Sequence, residues 1–238
     1  MSVRRSDFKL KVERQCVDEK HKKILLPHLF IDLVAEDNVE RSSVEKHIAR
    51  HFYKSHKAEI DVFLPNVLTA RTSKNITSTV GFRLGKQAEP LYLEQYLNNS
   101  AESSLSEILN QVVARSEIAE IGNLTSRYPG ASQMLFVLVV SVLYSVGAKW
   151  ALFTATPHVQ KMVDDLGIEI MEVCYENPNQ LSDSGKSWGG YYKNRPKVIA
   201  GNLEDAYAAL KRHPVAGFMI ENYQVTIDEL AGQLDVGK

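Results

Sequence analysis

The stretch Ser116–Ser132, SEIAEIGNLTSRYPGAS, decides the fold. Ile118–Leu124 reads as a β-strand, and the polar turn Arg-Tyr-Pro-Gly leads at once into a long apolar run that begins at Ala131. A strand that feeds a helix through so short a turn aims the free N–H groups of the helix's first turn at one point. Those groups and the positive end of the helix dipole make an anion site. Gly130 admits close backbone approach, Ala131 and Ser132 are small enough to keep it open, and Arg127 can add a bidentate contact to phosphate. Ser132 as a plain N-cap on an ordinary strand-to-helix turn is the alternative reading of the same residues.

The apolar run Met134–Phe153 has the length of a membrane span. Gly147 and Lys149 interrupt it, and Trp150–Ala155 reads as a strand. The helix proper, Ala131–Val146, is about 24 Å long, short of a hydrocarbon core of roughly 30 Å. It is therefore expected to be buried in the protein core.

Outward from this centre, β and α patterns alternate. Asn66–Arg71 and Ile76–Leu84 flank the polar turn Thr72–Asn75 as a β-hairpin. Leu91–Leu97 and Ser104–Val113 read as helical. Pro157–Leu166 reads as a helix with Thr156 at its N-cap, followed by a strand at Ile168–Val173 and a polar, flexible segment, Asn177–Ser187. Lys197–Ala200 is a short strand, and Leu203–Arg212 and Ile227–Leu234 are helical. Upstream, Phe8–Arg14 and Leu25–Val34 are candidate strands. Ser42–His56 is an amphipathic helix with Ser42, Ser43 and Glu45 at its N-terminus. This order predicts an α/β (α+β) fold: a mixed sheet flanked by helices on both faces. We expect one domain over 1–238, with an N-terminal portion (1–60), a core holding the donor site (61–202) and a C-terminal helical extension (203–238).

Composition agrees with a globular chain: 238 residues, 44% hydrophobic and 24% charged. With 28 basic and 29 acidic residues the net charge is −1, so no global charge favours nucleic acid. Cys16 and Cys174 lie far apart in no ligand-like cluster, and the first fifteen residues have no apolar h-region, so we expect reduced thiols and a cytoplasmic location. His47, His51 and His56 include an i,i+4 pair. They lack a nearby HExxH glutamate and read as a solvated face, so no metal is expected.

RYPGAS (Arg127–Ser132) resembles the (Gln/Arg)-x-x-Gly-x-(Gly/Ala) signature of GNAT acyltransferases, with Ser132 in the last place. Five ordered blocks resemble the thermostable hemolysin family: PLYLEQYL (90–97), EIGNL (120–124), KWALFTAT (149–156), WGGYY (188–192) and PKV (196–198). That family is itself viewed as GNAT-like and distantly related to acyl-homoserine-lactone synthases. The resemblance implies an N-acyltransferase that moves an acyl group from coenzyme A, or from the phosphopantetheine of an acyl-carrier protein, to an amine of a small metabolite. It places Leu124, Thr125, Arg127, Gly130, Ala131 and Ser132 at the donor. Val163 stands where the superfamily commonly has its tyrosine acid, so that acid is missing.

For the acceptor end, Glu120 is the candidate general base, with a pairing to Arg83 or Arg127 as its structural alternative. Strict alternation puts Glu120 with Gly122 and Ile121 with Asn123. Asn123 marks the oxyanion side or holds the splayed strands. Glu94, Trp188, Tyr191 and Tyr192 are candidate substrate contacts, the aromatics as a lid, an acyl-chain wall or an anchor for the last strand. Two other functions stay open at this point: a membrane-active cytolysin, as the family name suggests, and a non-catalytic acyl-carrier-binding protein.

Overall fold

A computed structural model describes residues 29–73, 75–86, 90–128 and 130–235. The strand expected at Phe8–Arg14, and Cys16, lie outside the described residues. Seven strands form one sheet in the order β1-β2-β3-β4-β5-β7-β6. They are β1 (Phe30–Val34), β2 (Asn66–Arg71), β3 (Ile76–Leu84), β4 (Ile118–Ser126), β5 (Trp150–Ala155), β6 (Met171–Tyr175) and β7 (Lys197–Asn202). β4 and β5 are parallel, and every other neighbouring pair is antiparallel.

The parallel pair is joined by α3 (Ala131–Ser145), the helix that begins at the polar turn. Every residue from Met134 to Leu143 is buried. One side of α3 packs on β3 and β4. The other is covered by α5 (Leu203–Arg212), α6 (Pro214–Asn222) and α7 (Gln224–Asp235). The helix is apolar all round because both of its sides are interior. α4 (Pro157–Asp165) joins the same layer through Val163 and Leu166. Among the described residues, no helix is long and apolar enough to cross a membrane.

The opposite face carries two smaller clusters. One packs α2 (Ala101–Leu109) and the 3-10 turn Tyr92–Tyr96 over Ile118, Trp150 and Leu152. The other packs Val44 and Ile48 of α1 (Arg41–His56) on Val34 and Val67. Trp188 touches both clusters.

Several boundaries depart from the pattern reading. α1 starts one residue earlier, at Arg41, after Glu40 with no side-chain cap, so the serine cap is not formed. Arg41 instead turns inward to the carbonyls of Leu64 (2.8 Å) and Pro65 (2.8 Å). The last helical region holds two helices: α6 was hidden by Gly217, and its true signal was Pro214 at N1 behind His213, whose ring accepts from Ala216 N–H at 3.2 Å. The 177–187 segment is a series of short turns pinned by Asp183, which accepts from Gly185 N–H (2.8 Å) and Ser187 N–H (2.7 Å).

Candidate functional site

β4 and β5 pair only from Ile118↔Trp150 to Ile121↔Phe153. Beyond that point β4 stays on β3 and β5 stays on β7, so a wedge opens between the two parallel strands. A β-bulge makes the wedge. The β3–β4 register shifts between Thr79 and Gly81, and Asn123 holds a φ of 47°. The extra residue breaks the alternation. A Cβ on Gly122 would meet Leu64, and Asn123 also reaches Leu64, whose N–H donates to Asn123 Oδ1 at 2.8 Å. Asn123 thus shares a face with Gly122, a correction to the strict alternation expected from sequence. Its side chain is a structural tie, and its carbonyl accepts from Thr79 Oγ1 at 3.0 Å. Thr125 is buried, its hydroxyl 2.8 Å from that of Thr79.

Three hollows meet at the wedge. The first, about 230 Å³, is lined by Leu124, Thr125, Ser132, Phe153 and Met162, with His51 and His56 across from them on α1. The second, about 890 Å³, continues past Ser126 to a basic basin of Arg50, Lys54, Arg71 and Arg127. The third is a close cavity of about 50 Å³ walled by Tyr92, Glu120, Glu176 and Trp188. Gly122, Asn123, Thr154 and Tyr191 line both the first and the third.

At the start of α3, Gly130 caps the helix at a φ of 85°, a left-handed conformation that a side chain would strain. Ala131 N–H donates to Tyr128 O at 3.3 Å and Met134 N–H to Gly130 O at 3.0 Å, and the amides of Ser132 and Gln133 lie between them in the first turn. Arg127 is exposed at the rim, its own N–H donating to Thr77 O at 2.9 Å.

The three histidines are not on a solvated face. All are half-buried, and His51 and His56 line the wedge. Burial first, and then the nearby Arg127, lowers His47 to about 4; burial likewise lowers His51 and His56. They sit neutral beside a positive basin. Among the described residues no group of three or more His, Cys, Asp or Glu could hold a metal.

Glu120 is buried at 3% exposure and pairs with neither Arg83 nor Arg127. Its two oxygens accept from Tyr92 N–H (2.8 Å) and Leu93 N–H (2.9 Å). Burial still outweighs these bonds and pushes its pKa up to about 7. Arg83 attracts it from a distance while donating to the Pro90 carbonyl. Glu94 is spoken for elsewhere. It accepts from Arg115 (2.6 Å), Leu91 N–H (2.8 Å) and Ala101 N–H (2.8 Å), and it lines none of the three hollows. Those bonds hold Glu94 below the usual carboxylate range although burial opposes them. Val163 is fully buried in the core and lines none of the three hollows.

The WGGYY block docks on the end of α1. Gly190 N–H donates to His56 O (2.7 Å), and Glu59 N–H donates to Ser187 O (2.6 Å). Trp188 stacks edge-on to Phe52 at 5.8 Å, and the Tyr192 and Tyr96 hydroxyls are 2.7 Å apart. The aromatics are a wall shared by α1, the 3-10 turn and the sheet. Sequence reasoning missed Glu176, which is 6% exposed. It follows β6 in a polar stretch, where neither periodicity nor composition marks it.

Residues 34–207 match the family model described as thermostable hemolysin. No curated protein sequence matches the chain. Among solved structures, FeeM, an N-acyl amino acid synthase from uncultured soil microbes, aligns at a TM-score of 0.54 and 13% identity, covering 80% of this chain and 99% of that one. The acyl-homoserine lactone synthase LasI aligns at 0.52 and 12%, covering 76% and 94%. The CoA-dependent acyl-homoserine lactone synthase BjaI, solved with SAM and isopentyl-CoA, aligns at 0.51 and 8%, covering 77% and 88%. At these identities the likeness is one of fold, and the fold is GNAT-like.

Proposed function

Starting from a chain that belongs to the thermostable hemolysin family, we propose an N-acyltransferase that uses coenzyme A, or the phosphopantetheine of an acyl-carrier protein, as acyl donor. The observation that carries this reading is the wedge. Its mouth is a basin with four cationic side chains, its middle is a channel of mixed polar and apolar lining at the start of α3, and its far end is a small cavity holding carboxylates.

The basin suits the phosphates of the donor, with Arg127, Arg50 and the first-turn amides of Ser132 and Gln133 as anion contacts. Leu124 and Thr125 flank the pantetheine arm, which extends the sheet along the unpaired edge of β4. The thioester then lies at Gly122–Asn123. An amine attacks the carbonyl carbon, a C–N bond forms, and an N–H of the 123–125 edge stabilises the oxyanion. Glu120, directly or through water, takes the proton from the amine. The C–S bond breaks and the thiolate leaves. A thiol of pKa about 8.5 is a competent leaving group without an acid. Tyr191 lines both cavities, and burial first, then Glu176, keeps its hydroxyl protonated, so it can hydrogen-bond the departing sulfur without giving up its proton.

Calorimetric titration with coenzyme A and with holo acyl-carrier protein tests the reading. At least one binds, and Arg127→Glu with Arg50→Glu weakens that binding tenfold or more at low salt, because exposed charge pairs are screened. If neither donor binds the unmodified chain, the proposal fails.

A further inference from the structure

Glu176 is a buried carboxylate that Glu120's role does not use. It closes the 50 Å³ cavity where β5, β6 and the WGGYY block converge. The Thr154 and Tyr191 hydroxyls act on its carboxylate, and Oε2 has no hydrogen-bond partner among the described residues. A carboxylate oxygen shielded from water and left unpaired is costly. Such an oxygen is a vacancy for a donor, and a charged donor fits best.

The surroundings fix the donor's character. Glu120 shares the same cavity, and Tyr92, Tyr191 and Trp188 present ring surfaces around it; Trp188 lies 5.1 Å from Tyr191 and 6.2 Å from Tyr92. Once ionised, two carboxylates behind an aromatic wall attract a cation by charge, and the rings add their quadrupole. Among the described residues no arginine or lysine lines this cavity. Arg83, the cation that acts on Glu120, is engaged at the Pro90 carbonyl. A substrate carboxylate placed here would therefore face two carboxylates with no cation beside it. The size of the cavity admits an ammonium group and one or two carbons, on the scale of a few water volumes.

We propose that Glu176 is the ammonium anchor of an acceptor site selective for amines that carry no carboxylate next to the nitrogen. This inference rests on the acyltransferase reading and names the class of its acceptor. Glu176 acts as a positioning residue: it holds the incoming ammonium, Glu120 takes the proton whose loss frees the nitrogen lone pair before the C–N bond forms, and the second proton leaves with the sulfur as thiol. The thioester side of the reaction is reached through Gly122, Asn123 and Thr154, which line this cavity and the donor channel alike.

Matched pairs that differ only in the α-carboxylate test the assignment: tyramine against tyrosine, and putrescine against ornithine. Binding is measured by calorimetry on the full chain near pH 8.5, where the amines stay mainly cationic. Turnover with hexanoyl-CoA is followed by thiol release. At least one amine binds and outperforms its amino-acid counterpart tenfold or more in kcat/KM. Glu176→Gln raises the amine KM or Kd at least tenfold, changes kcat less than threefold and leaves the hexanoyl-CoA Kd as in the parent; Glu120→Gln lowers kcat instead. Equal or better use of the amino-acid member, or an amine KM untouched in Glu176→Gln while the parent turns over, overturns the inference and leaves the acyltransferase reading standing. Amine binding that depends on Glu176 in a chain that binds no acyl donor supports the cation site and removes the acyltransferase reading. If neither amine binds the parent chain and neither is acylated, the inference is wrong.

Discussion

Glu176 and Glu120 hold protons more tightly than free carboxylates because burial penalises their charged forms; their pKa values are pushed up to about 8 and about 7. The native state therefore keeps protons that an unfolded chain releases from about pH 4.5 upward. The stability contributed is full below that point and is lost as pH rises through 7 to 8. Each unit of such a shift corresponds to about 1.4 kcal/mol. Glu176→Gln removes the larger slope, so its Tm should fall less between pH 6 and pH 9 than that of the parent. Parallel Tm curves for the two would show that Glu176 is ionised in water and not buried as described. The same titrations set the rate profile. A base of pKa near 7 is free to accept a proton only above it, so kcat/KM for amine acylation rises from pH 6 to 8.

At the scale of elements, two devices build the site: the bulge at Asn123 and the docking of 185–192 on α1. Gly189 takes a φ of 54°, and a Cβ there would lie 2.5 Å from His56 O. Gly189→Ala must strain the backbone or lift the segment off α1, at a cost on the order of 2 kcal/mol. For a chain of this size that lowers Tm by roughly 5 °C. It also loosens the aromatic wall, so amine KM rises more than donor Kd. An unchanged Tm would mean that the segment is not held by this contact.

How much of this the sequence discloses depends on whether the determinant is local. The hairpin Asn66–Leu84 and β5 are legible to the residue, since alternation and turn chemistry act over a few positions. Glu120 is visible as a charge in an apolar strand. Asn123's change of face is not, because a bulge is a property of two paired strands. Glu176 and the α1 histidines are hidden for the same reason. Their burial comes from segments more than a hundred residues away in the chain or from a docked loop, and no period records that. The sequence pattern starts β6 three residues early because Ile168 and Ile170 extend the apolar run, although Ile168 packs in the core before the strand begins.

At the scale of the whole molecule, the family's name and the fold point in different directions, and α3 decides between them. A helix that entered a membrane would have to leave the sheet on one side and α5, α6 and α7 on the other. Ten consecutive residues, Met134 to Leu143, would lose their burial. Lipid would cover the helix itself, but the core side chains it leaves on the sheet and on α5, α6 and α7 would face water at about 1.5–3 kcal/mol for each large one, and over that face the sum exceeds the net stability of an ordinary domain, roughly 5–15 kcal/mol. Direct insertion of α3 therefore amounts to unfolding. The purified chain should release no dye from phosphatidylcholine vesicles under conditions where its Tm is intact. Leakage at nanomolar protein from a folded chain would overturn this. If cells expressing the protein lyse erythrocytes all the same, the agent is then a product, and an acyl chain joined to a small amine is an amphiphile. Lysis of that kind disappears with Arg127→Glu/Arg50→Glu, blocked at the donor basin, and is carried by an organic extract of the culture instead of by the protein.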